Sequence, residues 1–247
     1  MRKALVCAAA VALIAILLPA TAARKPKPAK VLFLVGGGFH DYKSLPPILA
    51  DKLNATGDFQ VTITEDRNEL TAPKINKYDV ALFYTQGGEI TPEQEKGLTD
   101  FVSKGKGWVG IHSASDSFTN SDAYWNMVGG RFSGHGGGDF HVKIVTQRLD
   151  VSRGLTGFDV NDDETYDHKF HKDAKIIAFA RREPGGEPAA WIRFYEEGRV
   201  FYTGLGHGQP TWENPAFQKL MIRGMYWAAG RKTPCKEATG GTGCRAD

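Results

Sequence analysis

Val31-Leu32-Phe33-Leu34-Val35, closed by Gly36-Gly37-Gly38, is the stretch that decides the fold. Five consecutive apolar residues, with nothing polar at alternate positions, predict a strand covered on both faces, and the glycines end it in a tight turn. Strands of that kind belong to parallel sheets with helices on both sides. Downstream, Leu45, Ile48, Leu49 and Leu53 recur at three-four spacing, which predicts a helix over 45–53 with Pro46 and Pro47 tolerated in its first turn.

The alternation continues. Strands are expected over Phe59–Ile63, Asp79–Tyr84 and Gly107–Ile111. Thr91-Pro92-Glu93-Gln94 offers a hydroxyl cap, a proline in the first turn and an amide where a capping box needs one, so a helix should run to about Lys104. Another helical stretch covers Ser121–Val128. This β-α-β-α order predicts an α/β fold with a doubly wound, mainly parallel sheet. After Gly130 the pattern changes to short segments, Phe140–Val145, Ile176–Ala180, Ala189–Tyr195 and Arg199–Thr203, read as added and partly antiparallel strands. A helix from Pro215 to about Ala229 follows.

The flanks differ in character. Arg2 and Lys3, the apolar run Ala4–Leu18 and the small residues Pro19–Ala23 have the order of a cleavable export signal over 1–23. At about fifteen residues the apolar run is short for a membrane span. Residues 24–29 are a basic, Pro-interrupted linker, 30–231 the folded domain, and 232–247 a Gly/Thr-rich tail. Cys7 falls in the signal, so Cys235 and Cys244 remain, and in an exported protein they are expected to form a disulfide closing a short loop. Losing Arg2 and Lys3 lowers the net charge from +3 to +1, which leaves no electrostatic case for nucleic acid or, after signal cleavage, for a membrane surface. The oligomeric state has no signature in the sequence.

In an open parallel sheet, ligands bind beyond the carboxyl ends of the strands. The segments that follow the expected strands are polar and glycine-rich: Gly36-Gly37-Gly38-Phe39-His40-Asp41, Gln86-Gly87-Gly88-Glu89, His112-Ser113-Ala114-Ser115-Asp116 and Leu205-Gly206-His207-Gly208. One histidine after a strand is ordinarily a hydrogen-bonded loop residue. Three, His40, His112 and His207, point to a site. No G-x-G-x-x-G or P-loop spacing is present, which disfavours nucleotide binding.

Gly38-Phe39-His40, Gly110-Ile111-His112-Ser113-Ala114-Ser115-Asp116, Gly130-Arg131-Phe132-Ser133-Gly134-His135, Asp163-Glu164-Thr165-Tyr166, Gly198–His207, Asn214-Pro215-Ala216-Phe217 and Trp227 together resemble the ThuA-like, or trehalose-utilization-like, family. The resemblance runs in order from about Lys30 to Gly230. It implies the class I glutamine amidotransferase-like variant of the flavodoxin-like fold and a link to carbohydrate metabolism. Amidotransferases of this fold carry a nucleophilic cysteine on the elbow after a central strand; here that position is His112, so glutamine hydrolysis through a thioester is excluded. Ser113 is adjacent but lacks a G-x-S-x-G context.

The candidate catalytic set is His112, Asp116, His135, Glu164 and His207, with His40, Asp41, Gly87, Gly88, Tyr166 and Trp212 as substrate-binding candidates. Histidines beside carboxylates suit proton transfer near neutral pH. The same chemistry suits a divalent, zinc-like metal on His112, His135 and His207, and spacing does not separate the two readings. Phe39, Tyr84, Tyr166 and Trp212 fall at loop ends, where flat rings either stack on a sugar or pack into the core. Asp162-Asp163-Glu164 reads equally as a site segment or a solvated acidic turn. The leading expectation is an exported hydrolase or lyase acting on a glycoside or an oxidised (keto) sugar. The alternative is a carbohydrate-binding or scaffold protein that keeps the fold without turnover.

Two outcomes follow. Protein recovered from the native host's medium or periplasm should begin within a residue or two of Arg24 by intact mass; retention of Met1 contradicts the signal reading. Thiol titration of the denatured, unreduced protein should find no free cysteine, and reduction should cost less than the roughly 2–4 kcal/mol of a typical native bridge, because the loop is short and terminal.

Overall fold

The structure, a computed structural model, describes residues 26–180 and 186–234, with Asp162 described by its backbone alone. The expected export signal and the Cys235–Cys244 pair lie outside the described residues. Among the described residues, nine strands form one sheet. At its heart β1 (Ala29–Gly36) runs parallel to β2 (Phe59–Thr64) on one side and to β3 (Val80–Thr85) on the other, and β4 (Gly107–Ile111) and β9 (Gly198–Thr203) continue the parallel ladder past β3. Beyond β9 every pairing is antiparallel, through β8 (Glu187–Tyr195), β7 (Lys175–Ala180), β5 (Gly130–Ile144) and β6 (Phe158–Phe170) at the edge. The order is β2-β1-β3-β4-β9-β8-β7-β5-β6, so the winding reverses between β1 and β3. That reversal opens a crevice at the carboxyl ends of these strands.

Burial follows the sequence logic. Val31, Phe33 and Val35 face the layer of α1 (Leu45–Ala55) and α6 (Pro215–Ala228), packing with Leu49, Leu53, Phe217 and Leu220. Leu32 and Leu34 face the other layer, where α2 (Ala72–Ile75), α3 (Pro92–Ser103) and α4 (Asp122–Val128) supply Ile75, Leu98, Phe101, Tyr124 and Met127. The capping box is present: Gln94 N–H donates to Thr91 Oγ1, and Thr91 N–H donates to Gln94 Oε1.

The antiparallel half corrects the sequence reading in three places. The strand expected over Phe140–Val145 is the end of the 15-residue β5, which begins at Gly130. Its partner β6 was not expected as a strand, and it holds Asp162, Asp163 and Glu164, so these residues do not form an acidic turn. The segment Gln209–Asn214, read as a loop, contains the short helix α5 (Gln209–Glu213). Gly134, Gly136, Gly137 and Gly138 remove the apolar alternation that would mark β5, while in β6 the strand formers Phe158, Val160, Thr165 and Tyr166 are interrupted by Asp159, Asn161, Asp162 and Asp163, so pairing with β5 completes its order. No helix among the described residues is long and apolar enough to cross a membrane.

Candidate functional site

β4 delivers the centre of the site. Immediately after Ile111 the chain turns into a 3-10 segment, His112–Asp116, and His112 itself sits at φ 50°. A positive φ at a non-glycine residue costs on the order of 1–3 kcal/mol and persists only where the surroundings over-determine it. Here they do: Tyr202 Oη donates to the His112 carbonyl at 2.5 Å, Tyr124 Oη to the Ala114 carbonyl at 2.7 Å, and Gly87 N–H to the Asp116 carbonyl at 2.9 Å. The imidazole is fixed as well. Its Nδ1 lies 2.7 Å from the Gly204 carbonyl, which only accepts, so Nδ1 carries the hydrogen. In the neutral ring, Nε2 is then a bare acceptor, 3.0 Å from Tyr166 Oη. Burial raises the Tyr166 pKa, which keeps that hydroxyl a donor.

His207 arrives from the turn after β9. The carboxylate of Asp163, itself buried, accepts from Gly206 N–H at 3.0 Å, His207 N–H at 2.9 Å and Glu164 N–H at 2.7 Å. From the opposite side, Trp212 Nε1–H donates to the Gly206 carbonyl at 2.8 Å and Tyr84 Oη to the same oxygen at 3.3 Å. His40 comes from the glycine loop after β1, which lies tightly on the residue that follows β3: a Cβ on Gly37 would stand 2.0 Å from the Gln86 carbonyl, and Gly37 has φ +129°. Burial, then the neighbouring His112 and His207, holds the His40 pKa down at about 3.

These three rings meet. Ring centroids are 4.7 Å apart for His40–His112 and 5.4 Å for both His40–His207 and His112–His207. Glu164 reaches the same point from β6: Oε2 lies 3.4 Å from His112 Nε2, and Oε1 lies 3.4 Å from both His207 Nδ1 and His135 Nδ1. Burial acts to raise the Glu164 pKa, but the hydrogen bond and electrostatic effect of His112, with those of His207 and His135, outweigh it and leave the pKa below the usual carboxylate value.

The other sequence candidates occupy different positions. His135 stands on β5 across from Tyr166, on the outer side of Glu164, with its side chain 54% exposed. Asp116 turns toward β3, accepting from Gln86 Nε2 at 3.3 Å; burial raises its pKa against the opposing effects of that bond and of Arg131. Asp41 is exposed and caps the approach to α1, accepting from Lys43 N–H and Ser44 N–H. Gly87 and Gly88 take φ 57° and 71° in the turn that carries the bond to Asp116. Trp212 is 1% exposed beneath the site, so it cannot stack on a sugar; the same burial removes Tyr84 from the expected aromatic platform, and Phe39, at 95% exposure, is its one open member. Ser113 is fully buried, and its Oγ makes no hydrogen bond to a histidine among the described residues, so no serine–histidine pair is assembled there.

Sequence reasoning missed the supports. Asp163 is one. Another is His168, whose Nε2 lies 3.0 Å from Ser115 Oγ and 3.2 Å from Tyr202 Oη. Because the Tyr202 proton goes to the His112 carbonyl, Ser115 donates to Tyr202 and His168 Nε2–H completes the set. Burial keeps His168 neutral, with a pKa near about 3. A period-two reading of Glu164, Tyr166 and His168 would have placed all three on one face of a strand.

The described fold and its crevice define an α/β protein of class I glutamine amidotransferase-like architecture, with a histidine–glutamate centre where that architecture places its elbow. The chain belongs to the trehalose-utilisation (ThuA) family, whose pattern it matches over residues 30–228. It is similar in structure to a ThuA-like protein of Parabacteroides merdae (21% identity, TM-score 0.75, 84% of this chain and 92% of that one). A ThuA-like protein of Bacteroides uniformis is also similar (18% identity, TM-score 0.69, 87% and 96%). So is a Salmonella typhimurium protein described as cytoplasmic (14% identity, TM-score 0.60, 81% and 97%). No curated protein matches the sequence.

Replacing Asp163 by Asn should loosen the site without emptying the core, because an amide cannot accept the three N–H groups that converge on the carboxylate. The expected cost is about 1.5–3 kcal/mol in chemical denaturation, with the His207 resonances displaced in the folded protein. An unchanged midpoint with unchanged His207 signals contradicts this role.

Proposed function

We propose that this protein is an exported enzyme that hydrolyses or eliminates at a glycoside or an oxidised (keto) sugar, using Glu164 to move the proton. The observation that carries the reading is the position of one ionised carboxylate within 3.4 Å of His112, His135 and His207 at the carboxyl edge of a parallel sheet. The family's description, trehalose utilisation, supports a carbohydrate-derived ligand, and the order of residues 1–23 supports export.

Each group has a task that its surroundings suit. Glu164 is ionised and half-enclosed, so it takes a proton from water or from the carbon beside a keto group and returns it to the leaving oxygen. His112, with Nδ1–H held by Gly204, presents Nε2 in a constant direction, and Tyr166 Oη–H donates to that nitrogen in the resting site. A two-carboxylate glycosidase is the less natural form, since Asp116 is engaged with Gln86 while Glu164 sits among the histidines.

A panel of glycosides and their keto derivatives, assayed for product release, tests the proposal. Glu164→Gln, nearly isosteric, should lower turnover by about 10²–10⁴-fold while far-UV dichroism is unchanged. Full activity in the folded variant contradicts the role of Glu164. Tight binding across the panel without product would favour the non-catalytic binding protein instead.

A further inference from the structure

We propose that His40, His112 and His207 form a binding site for one divalent transition ion, of zinc-like preference, with a fourth position left to water or a substrate oxygen. The inference deepens the reading of the crevice as a catalytic site, and it rests on that reading for the use of the ion but not for its binding. The set differs from the one drawn from sequence: His40 replaces His135.

Four observations carry it. One ring nitrogen from each of the three histidines lies within 4.8 Å of the others. Tetrahedral zinc with Zn–N of about 2.0–2.1 Å needs nitrogens about 3.4 Å apart, so small side-chain rotations would close the set. His40 Nε2 and His207 Nδ1 are buried without hydrogen-bond partners. Buried polar atoms are seldom left unsatisfied, and two of them in one site, on rings packed against a third imidazole, call for a common partner.

His112 is prepared in the manner of a metal ligand. Its Nδ1–H donates to the Gly204 carbonyl at 2.7 Å, which fixes the tautomer and leaves Nε2 as the coordinating atom. The Glu164 carboxylate stands beside the three imidazoles, its Oε2 3.4 Å from His112 Nε2. A cation held by the three imidazoles would have its charge offset by that carboxylate, and a water bound to the ion would be within the carboxylate's reach for deprotonation. Three imidazoles with an adjacent carboxylate and an open position suit zinc or a similar ion better than calcium or magnesium, which prefer oxygen ligands.

Untagged mature protein, stripped with chelator, should take up one equivalent of Co²⁺ and show the intense visible bands of nitrogen-ligated cobalt, displaceable by Zn²⁺. His40→Ala and His207→Ala should each weaken Zn²⁺ binding by at least about 10²-fold, since loss of an outer-shell partner alone costs 10–100-fold. His135→Ala should stay within a few-fold, and Tyr166→Phe should bind equally well or more tightly, because the bond that occupies His112 Nε2 is gone. Absence of the cobalt bands in the folded wild type overturns the site even where a variant fails to fold. Loss of binding in His135→Ala equal to that in His207→Ala also overturns it. Metal binding without sugar turnover leaves the site standing and defeats the enzyme reading; turnover by folded protein that shows no cobalt bands does the reverse.

Discussion

Everything in the crevice depends on the bond from His112 Nδ1–H to the Gly204 carbonyl. It joins the carboxyl ends of β4 and β9, neighbours in the parallel ladder, and does so through a side chain rather than the backbone. A residue held at positive φ would relax if its ring were free to turn. With Nδ1 committed to a carbonyl, the ring, the elbow and the direction of Nε2 become one rigid unit. Tyr202, Ser115 and His168 stiffen the same unit from behind, with Tyr202 donating to the His112 carbonyl, Ser115 to Tyr202, and His168 Nε2–H shared between the two hydroxyls.

Asp163 makes the comparable tie at the other side of the crevice. One buried carboxylate gathers N–H groups from the turn after β9 and from β6, so His207 and Glu164 cannot move independently. The antiparallel extension of the sheet therefore shapes the crevice: the edge hairpin β5–β6 brings the Glu164 carboxylate to the histidine cluster and Asp163 to the backbone that carries His207. In an amidotransferase of this architecture the elbow carries a nucleophile. Here it carries an imidazole with its lone pair toward a glutamate, which is a geometry for moving protons or holding an electrophile, not for attacking a carbonyl.

Much of this was legible in the sequence where the cause is local. Val31–Val35 and Thr91–Gln94 specify their elements within a few residues, and the rule that ligands sit beyond the carboxyl ends of parallel strands brought His40, His112 and His207 forward as a group. What was not legible depends on partners distant in the chain. The strand β6 exists because Gly130–Ile144 pairs with it, and glycine-rich β5 gives no alternation to announce the pair. Asp163 looks like one acid among three until Gly206 and His207 arrive from more than 40 residues away to be bound by it. Trp212 looked available because its helix is a single turn in a polar segment, yet its indole points inward to Gly206. His135 and His40 exchanged places in the cluster for a similar reason: the side of Glu164 on which each falls is set by strand register and loop packing.

The trehalose-utilisation family thus combines, in this chain, a widely used α/β scaffold with a centre built from residues on β4, β6 and the turns after β1 and β9. The scaffold's similarity to proteins of 21% identity and below speaks only to the fold, so the chemistry has to be argued from the centre itself. The most direct test of that centre is the tautomer of His112, read by long-range ¹H–¹⁵N correlation on the metal-free protein near neutral pH. A bare, acceptor-type Nε2 beside a protonated Nδ1 is the result expected from the Gly204 bond; a protonated Nε2 with a bare Nδ1 would contradict it and remove the lone pair on which the site is built.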